Sequence, residues 1–140
     1  MDIDHFKKIN DTYGHKAGDY TLKTVVDACR KCLREHDIFG RYGGEELTIF
    51  LPETSAEVAL EVVEHLREKI AGTRLSLDHA EVAVTASFGV AGVERAGDVE
   101  LDDLLKKADQ ALYRAKEAGR NRVVLGAFAF ADLAFTEKSG

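Results

Sequence analysis

The sequence predicts an α+β domain in which a central, mostly antiparallel sheet is flanked by helices. Three observations predict it. The chain has 140 residues, one domain's worth and enough to bury a real core. Its hydrophobic pattern switches between the helical and the strand period in the order helix, hairpin, helix, strand, helix, strand. A helix, two strands, a helix and a strand also make a ferredoxin-like split βαβ unit that lacks only its opening strand. Only "MDID" is left to supply that strand, so it is expected as a stub.

Taken in order, "INDTYGHKAG" (9–18) is turn-rich and polar, and a helix follows to about Glu35. Leu22, Val25, Val26, Cys29 and Leu33 fall on one face of that helix. "DIFGRY" and "ELTIFLP" alternate around Gly43 and Gly44 and read as a hairpin. "TSAE", Thr54 to Glu57, is a capping box that opens a second helix with Val58, Val62, Leu66 and Ile70 as its stripe. Residues 81–93, "EVAVTASFGVAGV", are a β-rich run. A third helix spans 99–119, with Leu101, Leu104, Leu105, Ala108, Leu112 and Ala115 on one face and Gly119 as its C-terminal cap. "NRVVL" is a last short strand. The domain is drawn as 1–125, and the tail 126–140, apolar then polar, has no assignment.

Composition limits the function. A net charge of −6 supplies no basic field for duplex nucleic acid, although a small anion held by local cations remains possible. No apolar run of about 18 residues and no signal-peptide pattern occur, so no membrane span is expected and the chain reads as cytoplasmic. Cys29, Cys32 and His36 fall at helical spacing, but no second cysteine pair completes a structural zinc site. Inert, buried thiols are the reading favoured here.

"RYGGEELTIFLP" (41–52) is where chemistry enters. A turn uses Gly43 and Gly44 for positive φ, but it has no use for the adjacent acids Glu45 and Glu46. The opening stub ends in Asp2, Ile3 and Asp4. In a split βαβ sheet the end of the first strand lies beside the hairpin, which brings Asp2 and Glu45 together. Hard divalent cations such as Mg²⁺ (or Mn²⁺) take one or two carboxylates plus substrate phosphates. The alternative is a solvated acidic turn beside a frayed terminus.

Across "DIDHFKKINDTYGHKAGD", "RYGGEEL" and "ADQALYRAKEAGRNRV" the sequence closely resembles the GGDEF-domain diguanylate cyclases. Several long motifs in the right order carry that resemblance; "GGEE" alone would not. The resemblance implies a palm-type, nucleotidyl cyclase-like sheet and an enzyme that joins two GTP into cyclic di-GMP, releasing pyrophosphate. Each domain of a homodimer would present one GTP to the other. By motif, Asp2, the Ile3 carbonyl and Glu45 would bind Mg²⁺, and Glu46 would lie near the attacking 3′-hydroxyl as metal ligand or base. Asn10 and Asp19 would hydrogen-bond guanine. Amides around Phe6 and Lys7, with the Lys116 and Arg120 side chains, would cradle the terminal phosphates. Gly43 and Gly44 would let the backbone approach the nucleotide. Arg34 and Asp37 match the family's RxxD inhibitory site, where product binds.

Each residue also has a plainer reading. Asn10 and Asp19 suit a turn and a helix start, Lys116 and Arg120 a helix end, and Arg34 with Asp37 a surface ion pair. Two rival functions follow: a non-catalytic module binding GTP or cyclic di-GMP, and a mononucleotide cyclase on the same fold. Intact Asp2, Glu45 and Glu46 speak against the first; Asn10, Asp19 and the RxxD pair speak against the second. Leu47 stands where the signature has an aromatic, and that position should face the core. Family members carry a helix and most of a strand before the metal aspartate, usually with a sensor domain upstream. The 140-residue chain is therefore expected to be weakly active or inactive, and either to associate or to be stable only by filling the gap, for which "GAFAFADLAF" (126–135) is the local segment at hand.

Overall fold

The computed structural model describes residues 1–41, 46–93 and 100–126. Its elements are β1 (Asp2–Ile3), α1 (Phe6–Tyr13), α2 (His15–Arg30), β2 (Ile38–Arg41), β3 (Leu47–Phe50) and α3 (Ala56–Ala71). Then come β4 (Arg74–Leu77), β5 (Ala80–Ala83), β6 (Ala86–Val90), α4 (Leu101–Glu117) and β7 (Val123–Leu125). No described helix is long and apolar enough to cross a membrane.

The stub β1 sits in the middle. On one side Asp2 and Ile3 pair antiparallel with Ser87 and Ala86 of β6. On the other, Asp2 bridges antiparallel to Glu46, and the Leu47 amide donates to the Met1 carbonyl at 3.0 Å. β3 pairs antiparallel with β2, and β7 runs parallel to β6. Through these contacts the strands follow the spatial order β2, β3, β1, β6, β7. The sheet is mostly antiparallel with one short strand at its centre, as the sequence predicts.

Ile3 of β1, Leu47 of β3 and Phe88 of β6 enter a core closed by Leu22, Val25 and Cys29 of α2 and by Val63, Leu66 and Ile70 of α3. Each large aliphatic side chain buried there contributes about 1.5–3 kcal/mol. Leu47 is among the largest fully buried side chains, so an aliphatic residue fills the position where an aromatic was expected. Burial pushes the Cys29 thiol up to about 12, which keeps it protonated and inert.

Several boundaries differ from expectation. The turn-rich stretch 9–18 is in fact helical, the second half of α1, where Ile9 is buried, and the start of α2. Gly14, at φ 93°, separates it from α2. α2 stops at Arg30 rather than near Glu35, and isolated turns carry the chain on through Leu33. Ser55, not Thr54, caps α3 by accepting from the Val58 amide, and the buried stripe is Ala59, Val63, Leu66 and Ile70. Leu66 and Ile70 hold their expected places, whereas in the first half Ala59 and Val63 are buried and Val58 is 45% exposed.

The β-rich run is also divided. β5 pairs back on β4, a strand the pattern did not show, across a turn in which Asp78 and His79 both have positive φ. On α4 the buried residues are Ala111, Leu112 and Ala115, whereas Leu101 is exposed. Gly119 does end that helix: its amide donates to the Lys116 carbonyl and the Arg120 amide to the Ala115 carbonyl, a Schellman motif. Gly43, Gly44, Glu45 and the tail from 127 lie outside the described residues.

Helix α4 lies close on β6 because Gly89 has no side chain. A Cβ there would run into the Ala108 carbonyl oxygen and the Leu112 amide, both backbone and unable to swing aside. Gly89→Ala should therefore destabilise the domain by about 1–3 kcal/mol. A urea titration showing an unchanged midpoint would contradict this packing.

Candidate functional site

β1, the first turn of α1 and the end of α4 enclose an open cleft of about 480 Å³, lined among others by Asp2, Ile3, Phe6, Lys7, Lys116 and Arg120. That is the size of an ordinary small-ligand site. α1 begins in the cleft. His5, at φ 57°, occupies its N-cap position without a side-chain hydrogen bond to the helix. The first-turn amides are left to the cleft, where the helix end favours an anion.

Facing these amides, the Lys116 ammonium donates to Asp2 Oδ2 at 2.5 Å. Asp2 Oδ1 is buried with no hydrogen-bond partner among the described residues. An unpaired buried oxygen of this kind costs about 1–3 kcal/mol. A hard divalent cation is the partner its chemistry suits, so the residues present fit Mg²⁺ or Mn²⁺. Across the β1–β3 bridge stands Glu46. A hydrogen bond with Asp109 of α4, burial, and the negative charges of Asp109 and Asp2 push its carboxyl up to about 7. Positive charge delivered to this corner would favour the ionised form.

A second cluster lies at the α2–β2 connection. Arg34 forks onto Asp37, with Nε to Oδ2 at 3.2 Å and Nη2 to Oδ1 at 3.0 Å. Nη2 also donates to the Pro52 carbonyl and to Thr54 Oγ1. The Asp37 side chain is 1% exposed and that of Arg34 45%. Burial alone would raise the Asp37 carboxyl. Hydrogen bonds from the Arg34 side chain and amide outweigh it and hold the group below the usual range.

The family model described as "Diguanylate cyclase, GGDEF domain" matches residues 1–122. The chain belongs to the GGDEF family. It is 44% identical over 123 residues to the diguanylate cyclase DgcP of Pseudomonas aeruginosa, a match spanning 88% of this chain and 18% of that protein. Diguanylate cyclase A of Treponema denticola is 43% identical over 126 residues, spanning 89% of this chain and 33% of its own length. The chain thus corresponds to a third or less of these relatives. Among solved structures, the GGDEF domain of DgcB from Caulobacter crescentus, in complex with c-di-GMP, superposes with a TM-score of 0.82 at 35% identity. That match covers 89% of this chain and 73% of the other. The active GGEEF domain of a diguanylate cyclase from Vibrio cholerae gives 0.80 at 35% identity, covering 89% and 78%.

Of the residues assigned by motif, the GGDEF fold brings Asp2, Ile3, Phe6, Lys7, Lys116 and Arg120 to one cleft. Asp2 is bridged to Glu46; its expected neighbour Glu45 is outside the described residues. Asn10 and Asp19 do not line the cleft. Asn10 packs across the α1–α2 pair on Gly18, the residue before Asp19, so closely that a Cβ there would overlap its side-chain amide. Motif reading missed Asp109 and the buried Asp4. Asp109 falls on the polar face of α4 and carries no sequence signal. Asp4 had one: an acid two residues past Asp2 in an otherwise apolar strand end.

Removing the Arg34 side chain should let the Asp37 carboxyl rise, since its two side-chain hydrogen bonds are lost. Carbon-13 NMR of Asp37 through an acid titration checks this. An Arg34→Ala protein whose Asp37 titrates where the wild type does would show that the pair is not formed in solution.

Proposed function

We propose that this GGDEF domain is a diguanylate cyclase that condenses two GTP into cyclic di-GMP with Mg²⁺ or Mn²⁺. The observation that carries the reading is the unpartnered Asp2 Oδ1, set between Glu46 and a cleft wall of helix amides and cations. In the reaction the 3′-hydroxyl of each GTP attacks the α-phosphorus of the other. A phosphorus–oxygen bond forms, the bond to pyrophosphate breaks, and two turns of this chemistry close the ring and release two pyrophosphates. Bound Mg²⁺ supplies charge neutralisation at the reacting phosphate and its leaving group.

The chain's own groups supply position. The Phe6 and Lys7 amides, Lys116 and Arg120 hold the terminal phosphates; Asp2, the Ile3 carbonyl and Glu45 hold the cation; Asn10 and Asp19, which do not line this cleft, would read a guanine reaching beyond it to the α1–α2 pair. Glu46, near neutrality in its ionisation, suits a base for the attacking hydroxyl. Gly43 and Gly44 give the nucleotide room. As the resemblance to the cyclases implies, turnover would take a homodimer in which each domain presents one GTP to the other. The domain would then act in the cytoplasm as the output of a longer protein with an upstream sensor.

Mass spectrometry of the products from GTP and Mg²⁺ tests the proposal. Cyclic di-GMP is the expected product, and Asp2→Asn or Glu45→Gln should lower its rate roughly 100-fold or more while the fold is kept. Tight GTP binding without any product would instead favour a binding module. A Glu45→Gln enzyme at near wild-type rate would remove that residue from the metal site.

The RxxD pair is proposed to bind the product and slow the enzyme. Arg34, a planar fork able to stack on guanine and grip phosphate, suits that role. Arg34→Ala should relieve inhibition by added cyclic di-GMP without lowering GTP turnover. Equal product affinity in the two proteins by calorimetry would sink the assignment.

A further inference from the structure

Asp4 is 6% exposed, and both of its carboxylate oxygens are hydrogen-bonded. Its Oδ1 accepts from Ser87 Oγ at 2.6 Å. Its Oδ2 accepts from Thr85 Oγ1 at 2.7 Å and from the Asn121 amide at 3.0 Å. Its own amide donates to the Thr85 carbonyl at 2.9 Å. One side chain thus ties the end of β1 both to β6 and to the turn between α4 and β7.

That turn is strained. Arg120 and Asn121 have φ of 64° and 46°, left-handed conformations that asparagine tolerates and arginine avoids. Two such residues in succession persist only where the surroundings over-determine them. Here the Arg120 amide is held by the Ala115 carbonyl, the Asn121 amide by Asp4, and Asn121 Oδ1 by Arg67 of α3 at 2.8 Å. Of these holds, Asp4 is the one that runs from the turn to the strand bearing Asp2.

We infer that Asp4 is a positioning residue for the triphosphate: through the Asn121 amide it fixes the strained turn that aims Arg120 across the cleft from Asp2. The inference rests on the nucleotide reading of the cleft and adds to it. Asp4 also lines the cleft, but Ser87, Thr85 and Asn121 already occupy its two oxygens, so it acts through the turn rather than as a ligand. Its loss lets the turn relax to ordinary φ, and Arg120 then leaves the wall of the cleft.

The test is a double-mutant cycle on the 140-residue chain, read as affinity for a non-hydrolysable GTP analogue with Mg²⁺ by calorimetry. Asp4→Asn should weaken binding roughly 10- to 100-fold, as for other groups that act by orienting a binding residue. In an Arg120→Ala background the same change should cost less than about threefold, because the residue it acts through is gone. If Asp4→Asn melts below the assay temperature, Thr85→Val removes one of the two donors on Oδ2 and should show the same non-additivity at several-fold. Full additivity in either cycle overturns the inference and makes Asp4 a purely structural anchor. So does an Asp4→Asn protein that binds like wild type. A wild type that fails to bind the analogue overturns the nucleotide reading and this inference together.

Discussion

Strand β1 contributes only Asp2 and Ile3, yet backbone pairing leaves it on both sides, to β6 and to the hairpin of β2 and β3. The residues that approach the cleft come from segments far apart in the chain. Glu46 arrives with β3, Lys116 and Arg120 with α4 and its turn, and the α1 amides directly after β1. These groups share a corner only because the stub is paired on both edges. Ile3, 2% exposed, drives its side chain into the core and so fixes which way Asp2 must point.

The electrostatics follow from that placement. Asp2 and Glu46 are acids on adjacent strands, with Asp109 behind them, and like charges at this spacing repel. Two responses are visible. The Glu46 carboxyl is pushed up to about 7, first by its hydrogen bond with Asp109 and by burial, and Lys116 lends its ammonium to one oxygen of Asp2. Neither satisfies Asp2 Oδ1. The Lys116 side chain is 34% exposed and that of Asp2 14%. In the proposed reading a cation on Asp2 would release Lys116 to a phosphate.

Much of this was legible in the sequence, and the reasons differ by element. The hairpin, α3 and α4 announced themselves by clean periodicity, and Leu47 proved to be a core residue as its place in the strand implied. α1 was hidden because its apolar residues are sparse and its polar ones, with Gly14 close behind, look like a turn. β4 was hidden because among the described residues it pairs with β5 alone, in a hairpin turned by Asp78 and His79 without a glycine. The motif acids and cations were readable from the resemblance, but what each one touches was not. Asp109 meets Glu46, and Asp4 meets Asn121, only through tertiary packing, which no local pattern encodes.

In the proposed reading Asp2 Oδ1 takes a cation shared with a nucleoside triphosphate lying over the first turn of α1. A crystal structure with Mg²⁺ and a non-hydrolysable GTP analogue tests this directly. Metal density against Asp2 Oδ1, terminal phosphates on the Phe6 and Lys7 amides, and Lys116 swung from Asp2 to phosphate are expected. Nucleotide bound elsewhere, with Asp2 still joined only to Lys116, would contradict it.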